Sequence, residues 1–306
     1  TVGWTPASDI VSALEPVAPS TQKAIFGYGA AASKVSLTNL VSSSGVVAAD
    51  TTGVGTARGD LAAAGYGSDK AIFGYGRTGS SLSLTNLVNN SGVVAADVSG
   101  VGTARYYLAA AGYGGDKAIF GYGTTGSYSS LTNLVSSSGV VATDTTGVGT
   151  ARGYVAGVSY GGDKALFAYG YTGSNVSMSN LISNLGVVSA DVTGVGTARG
   201  YLAAASYDTD KAIFGYGYNG SANLSMSNLV SNNGIVASDV SGVGTARRQL
   251  GAAGYGGDKA IFAYGKAGAF TSIKNLVNSS GVIAADVTGV GTAREAIAAA
   301  GYSISA

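Results

Sequence analysis

The sequence predicts an all-β fold, a six-bladed β-propeller of four-stranded antiparallel blades. Three observations carry this reading. The string Lys-Ala-(Ile/Leu)-Phe begins at Lys23, Lys70, Lys117, Lys164, Lys211 and Lys259, a period of 47 residues with a single step of 48. The string Gly-Thr-Ala-Arg ends at Arg58, Arg105, Arg152, Arg199, Arg247 and Arg294 with the same spacing, the one extra residue lying between Gly220 and Ser225. Each repeat holds four short runs separated by Gly, Ser, Asn and Asp clusters, the turn chemistry expected between strands. Four strands in roughly 45 residues is a propeller-blade pattern. A helical array needs apolar stretches of about 10–12 residues at helical spacing, and none occurs.

One set of runs is Leu108–Ala111, Lys117–Gly123, Leu131–Val135 and Gly139–Ala142. The first is Ala-rich and suits the innermost strand, where converging blades leave least room. No such run precedes Lys23, but one occurs at Ala296–Tyr302, and it is expected to complete the first blade and close the ring. Residues 23–306 therefore read as one propeller. Residues 1–22 hold all three prolines, Pro6, Pro16 and Pro19, and read as a separate extension: a short helix capped by Ser8 or Asp9, or a linker.

Composition excludes several chemistries. Cysteine and histidine are absent, which removes disulfides, thiol nucleophiles, Cys or His zinc sites and a Ser-His-Asp triad. A net charge of +1 leaves no electrostatic footprint for nucleic acid. No apolar stretch approaches the ~18–20 residues of a membrane-spanning helix, so no membrane insertion is expected. No cofactor is expected either. Gly121–Gly126 matches G-x-G-x-x-G as text, but the phosphate cradle needs a helix that the pattern does not supply.

Charge amounts to 33 residues, of which 23 belong to the repeat: an Asp such as Asp97, an Arg such as Arg105, a Lys such as Lys117 and, in five repeats, an Asp such as Asp116. Asp and Arg are expected to pair within or between blades and to cap turns. A ring of six Arg binding an anion on the axis is the sharper alternative; calcium has too few oxygens per turn. The repeated Asn, such as Asn133, sits among apolar residues and is expected to bond a neighbouring blade's backbone. Twelve repeated tyrosines, such as Tyr113 and Tyr122, are expected to pack between blades with the hydroxyl on a partner.

The order of Arg, Ala-rich strand and hydrophobic strand ending in glycines resembles a kelch repeat over residues 23–302, with Gly-Tyr-Gly (Gly27–Gly29) where kelch has a Gly-Gly doublet. The resemblance implies the propeller topology. The kelch copper oxidases use His and Cys, which this chain lacks. The near-identical repeats are also similar in texture to uncharacterised repeat proteins of phages and environmental bacteria, which implies an extracellular or virion-associated setting.

Candidate functional residues are those that break the repeat. Tyr106, Tyr107, Tyr154 and Tyr201 precede or open first strands, while Tyr128, Tyr171 and Tyr218 lie in the loops between second and third strands. In antiparallel blades both positions emerge on one face of the disc. Arg77, Arg248, Lys266 and Phe270 map there too, as do Lys34, Asp60 and Glu295. Tyrosine combines large contact area, few rotors and a polar tip. The expected function is a non-enzymatic binding or adhesion module for a glycan or protein surface. The alternatives are a structural or engineered ring without ligand, and a glycosidase-type enzyme built on Glu295.

Overall fold

The computed structural model describes residues 22–303; the reading of residues 1–21 lies outside them. Among the described residues there is no helix, and eighteen strands form six three-stranded antiparallel sheets. The first strands are β3 (Ala62–Tyr66), β6 (Ala109–Tyr113), β9 (Ala156–Tyr160), β12 (Ala203–Tyr207), β15 (Gly251–Tyr255) and β18 (Ala298–Tyr302). The second strands are β1 (Lys23–Gly27), β4 (Lys70–Gly74), β7 (Lys117–Gly121), β10 (Lys164–Ala168), β13 (Lys211–Gly215) and β16 (Lys259–Ala263). The third are β2 (Thr38–Val41), β5 (Thr85–Val88), β8 (Thr132–Val135), β11 (Ser179–Ile182), β14 (Ser227–Val230) and β17 (Lys274–Val277).

No sheet closes on itself. Closure comes instead from the first strands, which touch one another in the cycle β3, β6, β9, β12, β15, β18 and back to β3. Small side chains permit this approach, and the upper ends of all six strands line one narrow axial passage. The C-terminal strand β18 pairs with β1, matching Lys23 to Tyr302 and Gly27 to Ala298. Middle strands are covered on both faces, so their residues after the leading Lys are continuously buried. The register sets Ile119 opposite Ala111 and Leu134, and Phe120 opposite Ala110 and Asn133.

The expected fourth strand is not a strand. Near Gly139–Ala142 it is reduced to two isolated bridges, Val135 to Val141 and Thr132 to Thr145. Between them the chain leaves the ladder. Asn133 Nδ2 donates to Ala142 O at 3.1 Å and to Asp144 Oδ1 at 2.9 Å, so the segment bends to bring its carboxylate inward.

That carboxylate belongs to a latch that joins adjacent sheets. At the first joint, Arg58 is fully buried between two of them. Its Nε donates to Tyr75 O at 2.8 Å, Nη2 to Asn86 Oδ1 at 2.7 Å and Nη1 to Thr56 O at 3.1 Å. Its guanidinium lies 4.4 Å above the ring of Tyr28, on the preceding sheet. Asp97 Oδ1 stands 3.8 Å away, held by Asn86 Nδ2 at 2.9 Å, while Thr56 donates its hydroxyl to Asp97 Oδ2 at 2.6 Å. Gly55 is required here: with φ +74°, a Cβ would stand 2.3 Å from Asp97 Oδ1. The latch recurs around the ring, and Arg294 closes it on Asn39 Oδ1 at 2.7 Å and Tyr28 O at 2.8 Å. Arg105 departs: its Nε has no partner, and Nη1 turns to Asp144 at 3.4 Å.

Two sequence expectations change in detail. The repeated Asn bonds backbone of its own repeat and receives the neighbouring repeat's Arg, instead of bonding neighbouring backbone. The repeated Arg is wholly buried, so the six do not form an anion-binding ring. The six tyrosines that follow the second strands behave as expected; the six that end the first strands, such as Tyr113, are buried in the packing but make no hydroxyl hydrogen bond among the described residues. Tyr28 donates to Val54 O at 3.1 Å and packs edge-on against Phe73 of the next sheet at 5.2 Å. Burial pushes its hydroxyl up to about 12.

Removing one latch Arg leaves a buried Asn oxygen and a tyrosine carbonyl without donors, each costing about 1–3 kcal/mol. Arg152→Met is therefore expected to lower unfolding free energy by about 3 kcal/mol in urea titrations, whereas exposed Lys164→Ala stays within about 0.5 kcal/mol. Equal stability of the two variants would contradict the latch.

Candidate functional site

The site grows from one backbone position repeated six times: Asp60, Tyr107, Tyr154, Tyr201, Gln249 and Ala296. Every one has a left-handed backbone, with φ between 53° and 60°. A non-glycine residue there costs on the order of 1–3 kcal/mol. Hydrogen bonds between successive repeats hold the conformation. Tyr107 N donates to Asp60 O at 2.9 Å, Tyr154 N to Tyr107 O at 2.8 Å, Gln249 N to Tyr201 O at 2.9 Å, Ala296 N to Gln249 O at 2.9 Å and Asp60 N to Ala296 O at 3.0 Å. The result is a backbone collar around the axis on which each repeat presents a different side chain. The collar lines a mouth of about 120 Å³, floored by an aliphatic ring that includes Leu61, Leu108 and Leu202.

One half of the mouth is aromatic. Tyr154 packs against Tyr107 at 4.0 Å and against Tyr201 at 4.1 Å between ring centroids, tilted by about 40°. Tyr106 abuts Tyr107 at 4.9 Å. Tyr171 lies 6.1 Å from Tyr154 and 6.0 Å from Tyr128, extending the aromatic surface outward. Such pairs contribute about 0.5–1.5 kcal/mol each beyond area burial, which helps offset the backbone strain. Burial raises the hydroxyl pKa values of Tyr107 and Tyr201, and the neighbouring Asp60 charge adds to the effect at Tyr107.

The other half is polar. The Asp60 side chain is 2% exposed, and Arg77 Nε donates to its Oδ2 at 2.7 Å. Lys34 stands 3.5 Å from the same oxygen, and Gln249 Nε2 donates to Oδ1 at 3.3 Å. Arg77 Nη2 also donates to the Tyr107 hydroxyl at 2.6 Å, and its guanidinium lies 4.4 Å from the Tyr106 ring. Arg248 lies 4.7 Å above Tyr218 and 6.0 Å from Tyr201. Its backbone pairs with that of Lys266, whose ammonium is 5.3 Å from the Phe270 ring and 3.9 Å from Glu295 Oε1.

All eleven sequence candidates thus join one connected patch, with Phe270 at its edge, 37% exposed. Asp60, on the collar, and Glu295, beside it, lie on the face where the sequence places them, whereas Gln249 on the collar escapes that reading. A signal for it was present, because aligning the repeats places Gln249 at the same position as Tyr107, Tyr154 and Tyr201.

The opposite end of the axis holds a larger cavity of about 240 Å³. Its walls come mostly from repeated residues such as Tyr66, Tyr113, Lys70 and Lys117. Both lysines are bonded to the preceding Asp, at 2.7 and 3.1 Å. Among the described residues no group of three or more Asp, Glu, His or Cys could hold a metal ion. Neither known protein families nor curated proteins provide a match for the chain.

Glu295 gives the mouth a pH dependence. Burial raises its carboxyl pKa despite the nearby Lys266 and Arg248, and Oε2 is enclosed without a donor. A folded-state pKa above the unfolded one means that the folded form holds the proton more tightly. Its contribution to stability therefore falls as pH rises from the unfolded value to the raised folded value, leaving a cost at neutral pH. Glu295→Gln is expected to melt at a higher temperature than the parent at pH near 7, with the gap vanishing below about pH 4. A lower melting temperature at neutral pH would show that the Lys266 pair outweighs the burial.

Proposed function

We propose that the ring is a six-bladed propeller, each blade cut to three full strands, and that it serves as a non-enzymatic glycan-binding module. The observation that carries this reading is the wall of Tyr107, Tyr154 and Tyr201, set on the collar with Arg77 against Tyr107 and Arg248 beside Tyr201. Aromatic rings offer a face for the apolar side of a sugar, and fixed polar groups beside them bond its hydroxyls. A small concave mouth favours the end of a saccharide chain over a flat protein surface.

A glycosidase needs two carboxylates available to substrate. Asp60 and Glu295 are both at the mouth, but Asp60 is already taken up by Arg77, Lys34 and Gln249, so the pair is read as structural. An adhesive role outside the cell or on a virion accords with near-identical repeats that hold a diversified face.

A glycan array probed with the full chain tests the proposal. The double variant Tyr107→Ala, Tyr154→Ala is expected to lose at least about 10-fold in affinity for the sugars the parent retains, from the lost aromatic contact area. Lys117→Ala, on the opposite face, is expected to bind as the parent does. Undiminished binding by the double variant would remove the mouth from the site, and a parent that retains no sugar would favour a ring without ligand.

A further inference from the structure

We infer that the sugar taken by this mouth is acidic, and that Arg248 receives its carboxylate. This rests on the glycan-binding reading above and narrows it to a substrate class. Most of the repeated charges are satisfied within the latches or in pairs between Lys and a neighbouring Asp, so the mouth's character is set by the residues that break the repeat. These comprise four cations, Lys34, Arg77, Arg248 and Lys266, against two carboxylates, Asp60 and Glu295. Asp60 is bonded to Arg77 and paired with Lys34, and Glu295 faces Lys266. Among the described residues, Arg248 makes no ion pair, and its guanidinium donates no hydrogen bond.

Its position suits an incoming anion. The guanidinium is stacked on Tyr218 at 4.7 Å, which steadies its plane while leaving the edge donors open. Tyr201, 6.0 Å away, belongs to the aromatic wall, so a sugar ring lying on Tyr201 and Tyr154 would bring a ring substituent to Arg248. A planar carboxylate matches the guanidinium fork with two parallel hydrogen bonds, which a hydroxyl cannot form. Glu295, near both Lys266 and Arg248, keeps the net field modest, so recognition depends on this local fork more than on bulk charge. A uronic-acid unit combines the ring face, the hydroxyls and the carboxylate that these groups require.

Calorimetric titration of the full chain with a short oligogalacturonate, its methyl ester and a sulfated galactan oligosaccharide tests the inference. The acid is expected to bind at least about 10-fold more tightly than the ester, which has the same skeleton without charge. Arg248→Gln is expected to abolish that preference, and Arg248→Lys to restore only part of it. The tyrosine double variant is expected to weaken acid and ester alike. Equal binding of acid and ester, or a preference surviving in Arg248→Gln, would overturn the acidic-sugar assignment and leave the glycan reading standing. Tighter binding of the sulfated sugar than of the uronate would overturn the carboxylate. Failure of all three probes would overturn the inference, with the array deciding the broader reading separately.

Discussion

The ring depends on six buried arginines. A guanidinium withdrawn from water loses several kcal/mol of solvation, and it stays buried because most of its donors are met, Arg105 alone among the six leaving its Nε without a partner. The ion pair with Asp is not the main compensation, because those separations run from 3.4 to 4.0 Å. The shorter contacts are with Asn oxygens, such as 2.7 Å from Arg58 to Asn86 and 2.6 Å from Arg152 to Asn180, and with tyrosine carbonyls. Each Arg therefore senses two sheets, and the Asp serves chiefly to lock the Asn and the Thr that frame it. The Thr and Asn bonds outweigh burial and hold these carboxyls below the ordinary carboxylate range. Because the last latch binds Arg294 to Asn39, the two ends of the repeat array are joined by the same chemistry as every other joint.

This constancy is what leaves the collar free to vary. The collar position is held by backbone hydrogen bonds between repeats, so its conformation is nearly uniform, with φ of 60° at Asp60 and 56° at Ala296, whatever side chain it carries. A tyrosine there does not have to build its own platform. Diversity in the mouth is thus separated from the stability of the ring, an arrangement suited to changing a ligand without refolding the scaffold.

Much of this was legible in the sequence. The period, the small first strands and the misplaced terminal strand reported the sixfold array and its closure, because each reflects a packing constraint that acts on residue size and spacing. The fourth strand was not legible, since Gly139–Ala142 has strand composition. What interrupts it is Asn133 drawing Asp144 inward, a side-chain event distant in effect from the local pattern. The burial of the Arg was hidden for a related reason: a Gly-Thr-Ala-Arg string looks like a polar turn until its three-dimensional partners are known. At the mouth, the tyrosines stood out by type. Asp60 and Glu295 stood out as charges that break the repeat, but Gln249 did not, although it holds the same collar position as the tyrosines.

A recurring latch supports a variable mouth, which we propose binds a glycan. A crystal structure of the full chain with a bound uronic-acid oligosaccharide tests it most directly. The account predicts a sugar ring against Tyr154 and Tyr201 with its carboxylate on Arg248, and the six latches undisturbed. A saccharide lodged in the opposite cavity, beside Tyr113 and Lys117, would contradict it.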